Sequence, residues 1–167
     1  MNGTRMVENS LIVVRDAMAG TGGLQTASNS VNMKYYSRCR ISLIVDCSDA
    51  AVVDGAVLLY QGSTSTASTA LVYSEYWKNE DMLHATTGGD LTRVEAATCA
   101  AGVRNKTAMY VFEVKSDMLD TDTFGSENIY IRLDLADITT ATEAHTLIYE
   151  LYEPRYTAGA GELPSWV

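Results

Sequence analysis

The stretch "MKYYSRCRISLIVDCS", residues 33–48, decides the fold of this chain. Its odd positions, among them Cys39, Ile41 and Cys47, are apolar or small, whereas most even positions are charged or polar. Because successive side chains of a β-strand point to opposite faces, this alternation predicts a strand with one face in the core. The even positions, Tyr36 and Arg40 among them, are expected to face solvent.

The cysteines are predicted to be free thiols. Cys39 and Cys47 lie eight residues apart on the same strand face. Extended chain of that length separates the sulfurs by about 26 Å, whereas a disulfide requires Cα atoms within about 7 Å. Cys99 completes no metal-knuckle spacing. The pattern therefore indicates neither a disulfide framework nor a zinc site, and it favours a reducing compartment.

The same two-residue period recurs along the chain. In "NIYIRLDL", residues 128–135, Ile131 and Leu133 share an apolar face, so Leu133→Asp is expected to disrupt the core while Arg132→Asp is tolerated. "TAMYVFEV", residues 107–114, is apolar on both faces, as in a central strand. Further strands are predicted at residues 10–16, 54–62, 70–77 and 145–152. Many strands joined by turn-rich segments predict an all-β fold, a jelly-roll-like β-sandwich.

The chain is expected to form a single domain. No Pro-rich or charge-rich linker divides residues 1–167, and extended segments are expected at about 1–30 and 157–167. Residues 90–102, "DLTRVEAATCAAG", fit a short helix with Asp90 as N-cap and Gly102 past its end. Because the apolar positions form no clean stripe, an irregular or short β segment stays open as an alternative.

Charge and hydropathy exclude several classes of function. A net charge of −9 argues against nucleic-acid binding, which requires clustered Lys and Arg. The aliphatic run at residues 11–14 is far shorter than the roughly 18 residues of a membrane-spanning helix, and the N-terminus lacks the apolar part of a signal peptide. We therefore expect a soluble protein made in a cytoplasm, with no nucleic-acid or membrane partner.

The sequence contains no complete motif for catalysis, calcium binding or phosphate binding. The only histidines, His84 and His145, lie near no nucleophile-elbow pattern, so neither is expected to be catalytic. The acidic stretch that begins at Asp120 starts like a calcium loop, but Phe124 and Ile131 stand where two ligands should be. No Gly-rich phosphate loop is present. We expect no catalytic residue, no metal and no cofactor.

Four segments carry a resemblance. The order "ALVYSEYWKNEDML", "VRNKTAMYVFEVKSDMLD", "IYIRLDLADITTAT", "LIYELYEPRY" resembles that of small β-rich virion proteins of tailed bacteriophages, over residues 33–156. Many members of that group are thought to decorate or cement the head, and others serve the tail. The resemblance implies a capsid decoration protein that stabilises the head by binding across capsid subunits, with the major capsid protein as partner.

That resemblance also sets the remaining expectations. The protein is expected in the virion after assembly in the host cytoplasm, as a dimer or trimer and without enzymatic activity. A carbohydrate-binding module, or a tail or head-tail β-sandwich, stays open as an alternative. Aromatic and apolar side chains suited to protein contacts give the candidate interface residues, which are Trp77, Tyr152, Tyr156, Leu163, Pro164 and Trp166. For Trp166 the alternative is that the tail folds back onto its own domain.

Overall fold

The structure is a computed structural model, and it describes residues 11–19, 30–47, 55–83, 89–102, 106–120, 127–136 and 143–154. In these ranges the regular elements are β-strands and a single 3-10 turn, Ser116–Met118. The strands are β1 (Leu11–Ala19), β2 (Val31–Asn32), β3 (Tyr36–Cys47), β4 (Gly55–Gly62), β5 (Thr69–Ala70), β6 (Tyr76–Asn79), β7 (Thr92–Val94), β8 (Cys99–Ala101), β9 (Lys106–Lys115), β10 (Tyr130–Leu135) and β11 (Glu143–Pro154).

The strands form two antiparallel sheets that enclose the core between them. The six-stranded sheet has the order β1-β11-β3-β9-β6-β7. The five-stranded sheet has the order β2-β10-β4-β5, and β8 also pairs with β4. Buried residues of both sheets belong to one apolar cluster. The prediction of an all-β sandwich is therefore confirmed.

The alternation that decides the fold is confirmed along β3. Cys39, Ile41, Leu43 and Val45 are fully buried, and the strand lies between β11 and β9, with which it pairs along most of its length. Tyr36 departs from the pattern, since it is only 3% exposed. The strand begins at this residue, directly after a turn closed by a 2.9 Å hydrogen bond from its N–H to the Met33 carbonyl. Parity is a property of continuous extended chain, so it does not predict burial at such a junction.

Three tyrosine hydroxyls carry hydrogen bonds across the sandwich interior. The hydroxyl of Tyr149, on β11, accepts a 2.9 Å hydrogen bond from the Leu133 N–H on β10. The hydroxyl of Tyr110, on β9, accepts one of 3.1 Å from the N–H of Gly102, which follows β8. The Tyr73 hydroxyl donates to the Val57 carbonyl on β4 at 3.2 Å. Burial raises the pKa of all three phenols, that of Tyr73 to about 12.

The single strand predicted at residues 70–77 is wrong. The structure has two short strands there, and they lie in different sheets, because β5 pairs with β4 whereas β6 pairs with β9. The segment between them crosses from one sheet to the other. The Leu71 N–H still donates to the Leu59 carbonyl at 2.9 Å, and Leu71 and Tyr73 point into the core. Because every second residue of this crossing segment is buried, its sequence has the same alternation as a strand.

Residues 90–102 form short β structure, which resolves the open alternative against the helix. Here β7 pairs with β6, and β8 pairs with β4. Gly102 has φ of 113°, a conformation that favours glycine, and its N–H is the donor to Tyr110. Pairing with distant strands, rather than a local apolar stripe, defines this segment.

The outward row of β10 is more buried than its sequence pattern predicts. The side chains of Arg132 and Asp134 are only 13% and 10% exposed, and they form an ion pair of 2.9 Å. The guanidinium of Arg132 also lies 4.8 Å from the centre of the Tyr60 ring, a cation–π contact. Burial raises the pKa of the Asp134 carboxyl, although Arg132 opposes that shift. The expectation that Arg132→Asp is tolerated is therefore replaced by the opposite one.

Arg132→Asp should lower the free energy of unfolding by about 3 kcal/mol, because it leaves two carboxylates together in a largely buried position. The measurement is denaturant unfolding at neutral pH. Ala56→Asp is the matched control, since Ala56 lies on the outer face of the adjacent strand and is exposed, and it should change stability by less than about 0.5 kcal/mol. Equal stability of the two variants would contradict the buried ion pair.

The cysteines should resist alkylation in the native protein. Cys39, Cys47 and Cys99 are free and buried, and burial raises the pKa of Cys39 well above its usual range and that of Cys99 to about 12. The thiolate is the reactive species, so iodoacetamide at pH 7.5 should label these thiols only slowly unless denaturant is added. Mass spectrometry of the intact protein over time provides the measurement. Rapid native labelling of Cys39 would show that its strand face is not in the core.

Candidate functional site

The outer face of the six-stranded sheet, which points away from the other sheet, carries a mostly apolar row across five strands. Residues directly opposite each other in the strand pairing are Val14 and Ile148, Ile148 and Ser42, Ser42 and Val111, and Val111 and Trp77. We call these five residues the central row. Cross-strand partners lie side by side on one face of a sheet. The central row is therefore a continuous band from β1 to β6.

The central row has a raised end and a recessed middle. Val14 is 63% exposed, and its neighbour Ile12 on the same strand face is also well exposed. Ser42 and Val111 are only 9% and 7% exposed. Ile148, which lies between Val14 and Ser42 in the row, is half-buried. The face thus combines an apolar protrusion with a depression formed by Ser42 and Val111.

A charged border lies along one side of the central row. It comprises Arg38, Arg40, Glu113, Lys115, Glu150 and Glu153. Arg38 pairs with Glu113 at 2.8 Å and with Glu153 at 3.0 Å, while Arg40 pairs with Glu150 at 3.2 Å. The border contains three cations and three anions, whereas the whole chain carries a net charge of −9. This region is therefore locally neutral on an otherwise acidic protein.

Two of the predicted interface residues lie on this outer face. Trp77 is half-buried at the β6 end of the central row, opposite Val111 on one side and Arg93 on the other. Tyr152 lies beside the charged border, with its ring centre 5.7 Å from the Arg40 guanidinium. The other four predicted residues fall outside the described ranges; they are Tyr156, Leu163, Pro164 and Trp166.

Sequence reasoning missed the rest of the central row. Val14, Ser42, Val111 and Ile148 are far apart in the chain, and only the strand register brings them together. A signal is present in part, since β1 and β9 have apolar residues on both faces. That signal is typical of a central strand, and β9 is one. On β1, which lies at the sheet edge, it instead marks an exposed apolar surface.

A pocket of about 220 Å³ lies near the end of the 3-10 turn, lined by Met33, Ser116, Leu119, Asp120, Glu127, Asn128 and Ile129. Asp120, one of the lining residues, is held in place by the side chain of Gln61. The buried Gln61 side chain donates to the Asp120 carboxylate at 2.9 Å and accepts from the Asp120 N–H at 2.8 Å, which ties this segment to β4. Asn128 also lines the pocket, and its side-chain amide nitrogen and oxygen are buried and make no hydrogen bond in the described part of the chain.

The histidines and potential metal ligands lie elsewhere. His145 is buried on the inner face of β11, and burial lowers its pKa. His84 is outside the described ranges. Within the ranges that the structure describes, no three His, Cys, Asp or Glu side chains gather as a metal-binding group. The outer face is therefore the feature of the described chain that most resembles a functional surface.

Comparison of the sequence with protein-family models and with curated proteins gives no match. In the described part of the chain, no helix has the length and apolar character needed to cross a membrane.

Charge variants in the border should leave the monomer stable. Arg40 and Glu150 form a pair that is partly exposed, and exposed pairs contribute about 1 kcal/mol or less. Arg40→Glu and Glu150→Arg are each expected to change the free energy of unfolding by no more than about 1 kcal/mol. Denaturant unfolding at a protein concentration low enough to exclude association is the measurement. A larger loss would show that the border serves the fold itself.

Proposed function

We propose that this protein is a structural component of a tailed-bacteriophage virion, a capsid decoration protein that stabilises the head by binding across capsid subunits. The observation that carries the proposal is the outer face of the six-stranded sheet, where a mostly apolar central row lies beside a border of charged residues that has no net charge. Such a face suits contact with another protein, because an apolar core beside polar groups is the usual anatomy of an interface. The proposed role involves no enzymatic step.

The strand order supports this proposal at the level of the fold. Four neighbouring strands of one sheet, β1-β11-β3-β9, face β2, β10, β4 and β8 of the other. The chain alternates between the sheets, and only β4 and β8 of these eight are consecutive in the same sheet. This alternation supports a jelly-roll topology, which is found in viral capsid and lectin domains. The argument is an analogy of fold, and the function itself depends on the surface.

The long strand pairings supply the rigidity that a decoration protein requires. β3 pairs with β9 from Arg38 to Cys47, and β11 pairs with its other edge over a similar length. A protein that holds capsid subunits at a fixed distance must resist deformation, and long antiparallel pairs over a filled core provide that resistance. We propose that the C-terminal residues, Leu163, Pro164 and Trp166 among them, bind the major capsid protein.

The alternative function, a carbohydrate-binding module of the virion, is favoured by one observation. Trp77 and Tyr152 lie on the same outer face, and aromatic rings suit the apolar faces of sugars. If the protein binds carbohydrate at this face, sugar ligands should change the intrinsic fluorescence of a Trp166→Phe variant, in which Trp77 is the sole tryptophan. Decoration of a capsid requires no such response.

The experiment that tests the proposal has two parts. Quantitative mass spectrometry of purified virions should find this chain in hundreds of copies per particle, and its absence would refute a structural role in the virion. Deletion of residues 158–167 should leave the melting temperature of the isolated protein unchanged while abolishing its loading onto capsids. Loading at normal occupancy would refute the anchoring role of the tail, and a lower melting temperature would favour a tail folded onto its own domain.

A further inference from the structure

We propose that two copies of this chain form a symmetric dimer by packing the outer faces of their six-stranded sheets together. The two-fold axis runs parallel to the strands, between β3 and β11. The inference rests on the proposed role of the outer face as a protein interface, and it names the partner at that face. In a two-fold interface the same patch serves both copies, so the face must be complementary to itself.

The shape of the central row meets this requirement. An axis between β3 and β11 reverses the order of strands, so β11 of one copy lies over β3 of the other and β1 lies over β9. Ile148 then lies over Ser42 of the second copy, and Val14 lies over Val111 of the second copy. In each pair a larger or protruding side chain meets a recessed one, since Val14 is 63% exposed while Val111 and Ser42 are 7% and 9% exposed. Aligned packing of two sheets requires such interdigitation.

The charges of the border are also complementary to themselves under this two-fold axis. Along the border, Glu150 on β11 and Arg40 on β3 are opposite each other in the strand register. The same axis brings Arg40 of each copy close to Glu150 of the other. Two copies of a chain with a net charge of −9 repel each other through most orientations. The border, with equal numbers of cations and anions, is a surface where that repulsion is replaced by attraction.

This charge pattern favours a second copy over an unrelated protein. The signs alternate across three neighbouring strands along the line Glu150, Arg40 and Glu113, so a surface of uniform charge would meet repulsion somewhere along that line. A surface with the reversed order of signs is matched, and the two-fold operation generates that order from the same chain.

Sedimentation velocity of the full-length protein tests the dimer directly. The wild type is expected to be dimeric at micromolar concentration. Val14→Lys should weaken the dimer at least tenfold, because it buries a charge against the apolar Val111 of the second copy. Val72→Lys is the matched control, since Val72 is 76% exposed on the segment between β5 and β6, away from the outer face, and its dimer should be unchanged. A monomeric wild type, or equal effects of the two substitutions, would overturn the inference.

A mixing experiment tests the position of the axis. Arg40→Glu places a second carboxylate opposite Glu150 of the other copy, and Glu150→Arg places two cations together, so each variant alone should dimerise poorly. Mixed in equal amounts, they should form heterodimers, because both contacts across the axis then join opposite charges. Pairing within each chain stays repulsive in the mixture, so restored association can come only from contacts between chains. Failure of the mixture to recover would overturn the proposed axis.

The outcomes separate this inference from the proposed function. A monomeric wild type that loads onto capsids, with loading abolished by Val14→Lys, would overturn the dimer and assign the outer face to a capsid protein. A dimer with the expected response to both experiments, in a chain absent from virions, would support the dimer and refute the decoration role.

Discussion

The sandwich depends on the hydrogen bonds that buried tyrosine hydroxyls make with the backbone of the facing segment. A tyrosine fills the space between two sheets as phenylalanine does, but its hydroxyl must find a partner once it leaves water. Tyr149 reaches the Leu133 N–H on β10, beyond Ile131, where the pairing of β10 with β2 ends. The hydroxyl therefore contacts backbone that β2 does not cover. Tyr110 does the same for Gly102 after β8. These directional bonds fix the position of one sheet relative to the other, whereas apolar contacts alone would allow the sheets to shift.

The same requirement applies to the core tyrosines of a chain that has ten tyrosines and only two phenylalanines. Tyr36, Tyr73, Tyr76, Tyr110 and Tyr149 are buried, and two of them surround Phe112, with ring centres 5.2 and 5.6 Å away. Tyrosine is common in protein interfaces, and its abundance in a sequence suggests them. These five tyrosines lie inside the sandwich and not at an interface. Their rings pack in the core, and the hydroxyls of Tyr73, Tyr110 and Tyr149 form hydrogen bonds with backbone groups.

The sequence predicts those strands whose pattern is local, and it does not predict those that form only by pairing with residues distant in the chain. β3 and β10 are long enough for their own alternation to identify them, β9 is identified by its apolar run, and the burial of Cys39 and Cys47 follows from the alternation of β3. β5, β6, β7 and β8 are each two to four residues long and exist because a partner strand is present. The burial of Arg132 escapes prediction for a related reason, since neighbours on another strand cover it. In the candidate site, aromatic character identifies Trp77 and Tyr152. The central row depends on register between distant segments, which composition does not encode.

The two edges of the six-stranded sheet bear on how large an assembly of this protein grows. β1, at one edge, has a register irregularity between Arg15 and Ala17, and β7, at the other, is three residues long. A bulge twists an edge strand away from a straight template, and a very short strand offers few backbone groups to a newcomer. Strand addition, which would polymerise the sheets into open-ended fibres, is therefore disfavoured at both edges. A protein that associates through a sheet face gains from this arrangement, because a two-fold contact between faces closes at two copies, whereas growth by the edges would have no end.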